Sequence, residues 1–349
     1  MQINLKPDNL MVRLRPSASS RTPLSEVERV RSPSTLSVVE GLIYPYFVSA
    51  GINKKEEIKS FPQVFKFSID RLIKDISVSK RLGIEKILLF GTGEKKDSLA
   101  TAAYKKDNLI ALAVKNIKKE FPDLTVITDV CLCGYTSHGH CGILKAHSAK
   151  RIAQSDFIDS RKTLEALAKI ALSHVEAGAD WVAPSAMAKK QVEAIRKELD
   201  RNGFNKTNIL GYSAKFASNF YGPFRNACGS APSFGDRSSY QLNYTDRNKA
   251  LLEISDDIKE GADMVMVKPA LGYLDIIKEA KQKFNYPLAA FNVSGEYAMV
   301  KAYVKSIAHG ARRITLEKNL VLEILTAIKR AGADFIITYH AKEVAGWLK

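Results

Sequence analysis

A short phrase recurs along the chain and constrains its fold more than any other feature. It reads Glu176-Ala-Gly178-Ala-Asp180-Trp-Val-Ala, then Glu260-Gly261-Ala-Asp263-Met-Val-Met-Val, then Arg330-Ala-Gly332-Ala-Asp334-Phe-Ile-Ile. Leu82-Gly83-Ile-Glu-Lys-Ile-Leu-Leu is a looser copy. Each copy joins the end of an amphipathic helix, a glycine suited to the left-handed position beyond it, and an apolar strand. Repeated helix–glycine–strand joints imply parallel strands covered by helices. Eight apolar strands are predicted, over 42–48, 86–91, 125–132, 181–187, 208–215, 264–269, 288–294 and 335–340. Helical periodicity falls between them, over 109–121, 163–177, 192–202, 248–260, 273–284, 297–309 and 320–331. With no Rossmann glycine fingerprint, the pattern favours an α/β fold of the closed (β/α)8 (TIM barrel) kind over an open doubly wound sheet.

The 349 residues suit one elaborated barrel over 41–349, and an apolar content of 46% is ample for its core. Residues 1–40 fit no strand–helix unit. They are basic, hold Pro and Ser with a few apolar residues (Leu10-Met-Val, Val27, Val30), and are expected to form an extended N-terminal arm, free or wrapped on a neighbouring subunit. The N-terminus has no continuous apolar segment of the secretory kind, and no later run is long enough to span a bilayer. Four cysteines, three of them clustered, fit a reducing cytosol, so a cytoplasmic location is expected. The net charge of +16 raises nucleic acid or anionic membrane as partners. The basic residues, however, are scattered, often as pairs such as Lys54-Lys55 and Arg312-Arg313, without a long run or aromatic interleaving. A basic solvated surface, with neither nucleic acid nor membrane as partner, is the expectation.

Chemistry concentrates in Asp129-Val-Cys131-Leu-Cys133-Gly-Tyr-Thr-Ser-His138-Gly-His140-Cys141-Gly. Cys131 and Cys133, two apart at the end of an apolar run, face one side if the strand continues, and Cys141 can return through the Gly- and His-rich loop. Three thiolates suit Zn²⁺, and a missing fourth ligand leaves room for water or substrate. A closed Cys₃His structural site using His138 or His140 is the competing reading.

Catalytic groups of a barrel sit at the C-terminal ends of its strands. Here those ends carry Asp129, Cys131, Cys133, Ser185, Lys215, Lys268, Ser294, Glu296 and Tyr339, polar groups costly to bury unless they face a site. Lys215 and Lys268 each end an apolar strand. Desolvation and a second cation nearby lower a lysine pKa and free the amine to attack a ketone and form a Schiff base. A snorkelling lysine with its head in water is the alternative for each. Between them, 216–241 is rich in Gly, Pro, Ser and aromatics and reads as a lid, with Arg225 and Arg237 suited to gripping a carboxylate. Two other functions compete: a class I aldolase, which needs one lysine and leaves the metal unexplained, and a zinc-stabilised nucleic-acid-binding protein.

The motifs DVCLCGYTSHGHCG, YSAKFASNFYGPFR, FGDRSSYQ, MVMVKPALGYLD, VSGEYAM and KRAGADFIITY closely resemble those of the porphobilinogen synthase (5-aminolevulinate dehydratase) family, from about Gly41 to the end. The resemblance implies a (β/α)8 barrel with an N-terminal arm, usually a homo-octamer. It implies condensation of two molecules of 5-aminolevulinate to porphobilinogen with loss of two waters, early in tetrapyrrole synthesis. Carried over by motif, Lys268 is the Schiff-base lysine for the first substrate and Lys215 that for the second. Ser294 and Tyr339 match the groups that hold the first substrate's carboxylate, and Arg225, Arg237 and Gln241 those that hold the second's. Cys131, Cys133 and Cys141 match the zinc ligands of the cysteine-rich subgroup. Asp129, Ser185, Tyr221 and Phe224 match residues lining the pocket, and Glu253 the acidic position of an allosteric magnesium (Mg²⁺) site. The chain departs from the family pattern at Lys189-Lys190, where Asp-Gly is usual, at Phe291-Asn292, where Tyr-Gln is common, and at His340, where an aromatic is frequent.

Overall fold

The computed structural model describes residues 40–92, 95–145 and 157–349. The arm expected over residues 1–40 lies outside them, save its last residue. Eight parallel strands close on themselves: β1 (Leu42–Val48), β4 (Lys86–Gly91), β5 (Thr125–Val130), β6 (Trp181–Pro184), β7 (Asn208–Lys215), β8 (Met264–Lys268), β9 (Leu288–Asn292) and β10 (Phe335–Thr338). Closure is made by β1 against β10, with Leu42 opposite Ile336 and Ile43 opposite Ile337. The expected (β/α)8 barrel is therefore what the chain forms. An antiparallel pair, β2 (Lys55–Glu57) and β3 (Phe65–Phe67), continues the sheet at the C-terminal end of β1.

The recurring Gly-Ala-Asp phrase has a structural job at each site. Gly178, Gly261 and Gly332 have φ of +103°, +100° and +123°, a region costly for residues with a Cβ. The aspartate that follows then accepts a backbone N–H from the start of the preceding strand. Asp180 accepts from Val126 at 2.7 Å, Asp263 from Ile209 at 2.9 Å and Asp334 from Leu288 at 2.8 Å. The phrase thus ties the N-terminal rim of the barrel.

Apolar residues alternate between two packed layers. Leu210, Tyr212, Met264, Met266, Ala289, Phe291 and Ile337 fill the barrel. Ile209, Val265, Val267, Leu288, Ala290 and Ile336 pack beneath the helices. Each large apolar side chain buried in these layers contributes about 1.5–3 kcal/mol, which offsets the cost of burying a few polar groups at one end. The helix expected over 320–331 begins ten residues earlier, running Gly310–Ala331. The helix expected to end at Leu82-Gly83 runs Ile69–Arg81, and the short helices Gly222–Cys228 and Ala341–Trp347 add to the expected set. No helix among the described residues is long and apolar enough to cross a membrane.

Candidate active site at the barrel mouth

Strand β7 departs from regular alternation, and the site depends on it. Leu210 and Tyr212 face the interior and Ile209 the helices. Strict alternation would send Ala214 inward and Lys215 outward. Instead the register against β8 slips between Gly211 and Ala214. The extra residue reverses the pattern: Ala214 joins the layer under the helices, and Lys215 becomes the ladder partner of Lys268. Lys268 follows Met264 and Met266 inward by ordinary alternation.

Both lysines are buried, 6% and 5% exposed, so neither snorkels to water. Their nitrogens lie over one ring, that of Tyr212, at 5.6 Å for Lys215 and 5.0 Å for Lys268. Lys215 donates to the Ser185 carbonyl. Lys268 is caged by aromatic faces, with Phe291 at 4.0 Å, Phe224 at 5.2 Å and Tyr221 at 5.5 Å. Tyr221 also donates to the Lys268 carbonyl at 3.1 Å. Burial, with the Lys215 charge beside it, lowers the Lys268 pKa to about 7. Near neutral pH this amine is divided between its charged form and its nucleophilic one. Burial raises the Asp129 carboxyl to about 6, although Lys215 and a hydrogen bond from Ser185 pull the other way.

The three expected thiols converge. The sulfurs of Cys131, Cys133 and Cys141 all lie within 4.8 Å of one another, and all three residues are buried. None is in a disulfide. Hydrogen bonds from Cys131 and Cys133 hold the Cys141 thiol well below its ordinary pKa, and Arg237 and Lys215 act in the same direction. Neither histidine completes a closed Cys₃His centre among the described residues. The His140 ring nitrogens are engaged by the Tyr240 hydroxyl and the Phe234 carbonyl, both at 3.1 Å. His138 accepts from the His140 N–H at 3.2 Å. The donor set fits a Zn²⁺ ion with an open position.

The expected carboxylate-holding groups are polar atoms in want of partners. Tyr339 Oη, both amide atoms of Gln241 and the Nε of Arg225 and of Arg237 are buried without a hydrogen bond. Burial, with the Arg237 charge nearby, lowers the Arg225 pKa. Such orphans are rare in native interiors, and an anionic ligand would accept from the donors among them, Tyr339 Oη, Gln241 Nε2 and the two arginine Nε groups. Arg237 has a second task, donating through Nη2 to the carbonyls of Gly139 and Ser230 at 2.9 and 2.5 Å, which ties the lid to the cysteine loop. Ser294 does likewise, donating to the Phe220 carbonyl at 3.1 Å and accepting from the Phe224 N–H at 3.2 Å.

Glu253 lines a cavity shared with Cys141, Tyr240 and Lys249. It lies half-buried on the outer helix Arg247–Glu260, and burial raises its pKa against the charges of Lys249 and Lys189. Mg²⁺ asks for near-octahedral oxygen ligation. Beside Glu253 stand a second carboxylate, Asp256, and the ammonium groups of Lys249 and Lys189, and Asp257 and Glu260 line the same pocket. The residues behind the site account for two of the departures. Asn292 donates to Glu296 at 3.2 Å and accepts from Thr338 at 2.9 Å. His340 pairs with Glu343 at 2.8 Å, within a cluster of Glu317 and Glu343 around Lys301 that already holds its own cation. Tyr212, the ring shared by both lysines, was missed. Alternation from Leu210 marks it as inward-facing, and Gly211 and Ser213 hint at the irregularity beside it.

Barrels whose polar groups gather at the C-terminal ends of the strands are, as a class, enzymes, and this barrel has that distribution. The family model described as delta-aminolevulinic acid dehydratase matches residues 17–347, beginning well before the motifs read in the sequence. A protein of that name from Methanothermus sociabilis is 47% identical over 338 residues, covering 97% of this chain and 98% of its relative. One from Bacillus subtilis is 45% identical over 306 residues, covering 88% and 90%. The crystal structure of delta-aminolevulinic acid dehydratase (porphobilinogen synthase) from Toxoplasma gondii ME49, in complex with the reaction product porphobilinogen, superposes with a TM-score of 0.82 at 39% identity, over 88% of this chain and 85% of that one. The chain belongs to the delta-aminolevulinic acid dehydratase family. It is an enzyme with the family's porphobilinogen synthase activity, in tetrapyrrole biosynthesis.

Proposed function

We propose that the chain condenses two molecules of 5-aminolevulinate through imines on Lys268 and Lys215, with Zn²⁺ held by Cys131, Cys133 and Cys141. One observation carries this reading: both amines lie over Tyr212, at the barrel end that also bears the three clustered thiols. Lys268, partly neutral at pH 7, attacks the ketone of the first substrate, whose carboxylate meets Ser294 and Tyr339. Lys215 takes the second substrate, whose carboxylate meets Arg225, Arg237 and Gln241. When bound, zinc supplies Lewis acidity toward the second substrate. Asp129, ionised above about pH 6, accepts protons as the bonds form, with Ser185 beside it. Tyr221 and Phe224 wall off water. The two ketone oxygens leave as the two waters, one carbon–carbon and one carbon–nitrogen bond close the pyrrole, and both lysines return as free amines. Fixing two substrates in one pocket makes a bimolecular coupling nearly unimolecular. The reading includes a homo-octamer in the cytoplasm, with residues 1–40 as the arm; light scattering of the purified protein tests the assembly.

The chemical test is borohydride reduction in the presence of 5-aminolevulinate, with the adducts located by mass spectrometry. Pyrrole formation is followed with and without a zinc chelator. Adducts on both lysines, and activity lost on chelation and restored by Zn²⁺, are expected. An adduct on one lysine with full turnover after loss of the other would favour a single-substrate aldolase step and overturn the proposal.

A further inference from the structure

Lys215 faces the barrel only because β7 carries an extra residue between Gly211 and Ala214, so whatever holds that irregularity holds the amine. The group packed against it is Asp257, on the helix Arg247–Glu260. Its carboxylate is buried. Gly211 admits it, because a Cβ there would lie 2.6 Å from Asp257 Oδ2 and 3.0 Å from Ser213 Oγ. The Ser213 hydroxyl sits between the Gly211 carbonyl, 3.3 Å away, and this carboxylate. A carboxyl that enters the layer beneath the helices costs stability unless its partner compensates. Here the partner is the extra residue itself.

We infer that Asp257 is a positioning residue for Lys215, holding Ser213 in the slipped register that turns the amine inward. Lys268, on the regularly alternating strand β8, does not depend on it. The inference rests on the proposal that Lys215 forms an imine. Burial raises the Asp257 carboxyl to about 7, with Glu260, Glu253 and Asp256 adding to the effect. It therefore has both protonation forms available for the Ser213 hydroxyl near neutral pH.

The test compares adducts on the two lysines, separately quantified after borohydride reduction with 5-aminolevulinate, in wild type, Asp257→Asn, Asp257→Ala and Ser213→Ala. Misplacement of a reacting group by about 1 Å costs on the order of 100-fold. Asp257→Ala is therefore expected to lower the Lys215 adduct rate by about 10- to 100-fold, with the Lys268 adduct within about twofold of wild type. Asp257→Asn, which keeps the shape and a hydrogen-bonding group, is expected to fall between. Should Asp257→Ala not fold, Asp257→Asn and Ser213→Ala carry the same comparison. Equal loss at both lysines, or loss at neither, overturns the inference. A wild-type enzyme that yields no Lys215 adduct at all would sink the two-imine proposal itself, and this inference with it.

Discussion

At the scale of single residues, the chemistry turns on how a cage of rings treats a charge. Lys268 is expected to impose an acid limb on kcat/KM, rising with unit slope below about pH 7 and flattening above it, because only the free amine attacks. A limb displaced toward pH 9 or 10 in the steady-state profile would contradict this. The same group links stability to pH with a definite sign. The unfolded chain keeps this proton up to about 10.5, whereas the folded chain releases it near 7. Between those values the unfolded state binds more protons, so stability rises with pH there. Lys268→Met removes the buried charge. It is expected to melt higher than wild type below about pH 7, by a margin on the order of a few kcal/mol, which shrinks toward pH 10.5. Melting curves across that range check it.

At the scale of elements, the sequence made the regular parts legible and left the irregular ones hidden. The eight strands follow from their apolar runs, three of them placed directly after Gly-Ala-Asp, and the two lysines and three cysteines follow from their places at strand ends. The pair β2 and β3 was not legible, since Lys55-Glu56-Glu57 is short and wholly polar. The helix Ile69–Arg81 is legible from its end, where Leu82-Gly83 opens the looser copy of the phrase, while its body is marked only by Leu72 and Ile76 at helical spacing. The slip in β7 is a property of two strands together, and no single stretch displays it. The lid also depends on a close approach that composition does not reveal. At Gly295 a Cβ would lie 2.6 to 2.9 Å from backbone atoms of Phe220. Gly295→Ala must push the segment bearing Tyr221, Phe224 and Arg225 away from the mouth. We expect kcat/KM to fall about tenfold or more and stability by about 1–3 kcal/mol, as read by steady-state kinetics and denaturant titration.

At the scale of the whole molecule, the barrel separates what holds it together from what it does. Asp180, Asp263 and Asp334 act at the N-terminal rim, and the amines and thiols at the opposite one. Asp263→Ala is therefore expected to cost about 1–3 kcal/mol of stability with kcat/KM nearly unchanged, a split that parallel melts and assays would expose. The reverse split is expected for the metal. A three-thiol site at the edge of an apolar barrel is not what folds it, so chelation should stop pyrrole formation while the melting temperature moves little. A large drop in melting temperature on chelation would mean a closed structural centre instead. One further consequence attaches to the slipped rung of β7. A tally of amino-acid identities treats positions as interchangeable slots, yet here the way the slots are paired decides on which side of a wall a nucleophile is delivered. A chain of the same length that ran β7 straight, without the slip against β8, would hand that nitrogen to the seam under the helices. Such a chain would keep every reactive side chain named above and still be unable to grip two ketones at once.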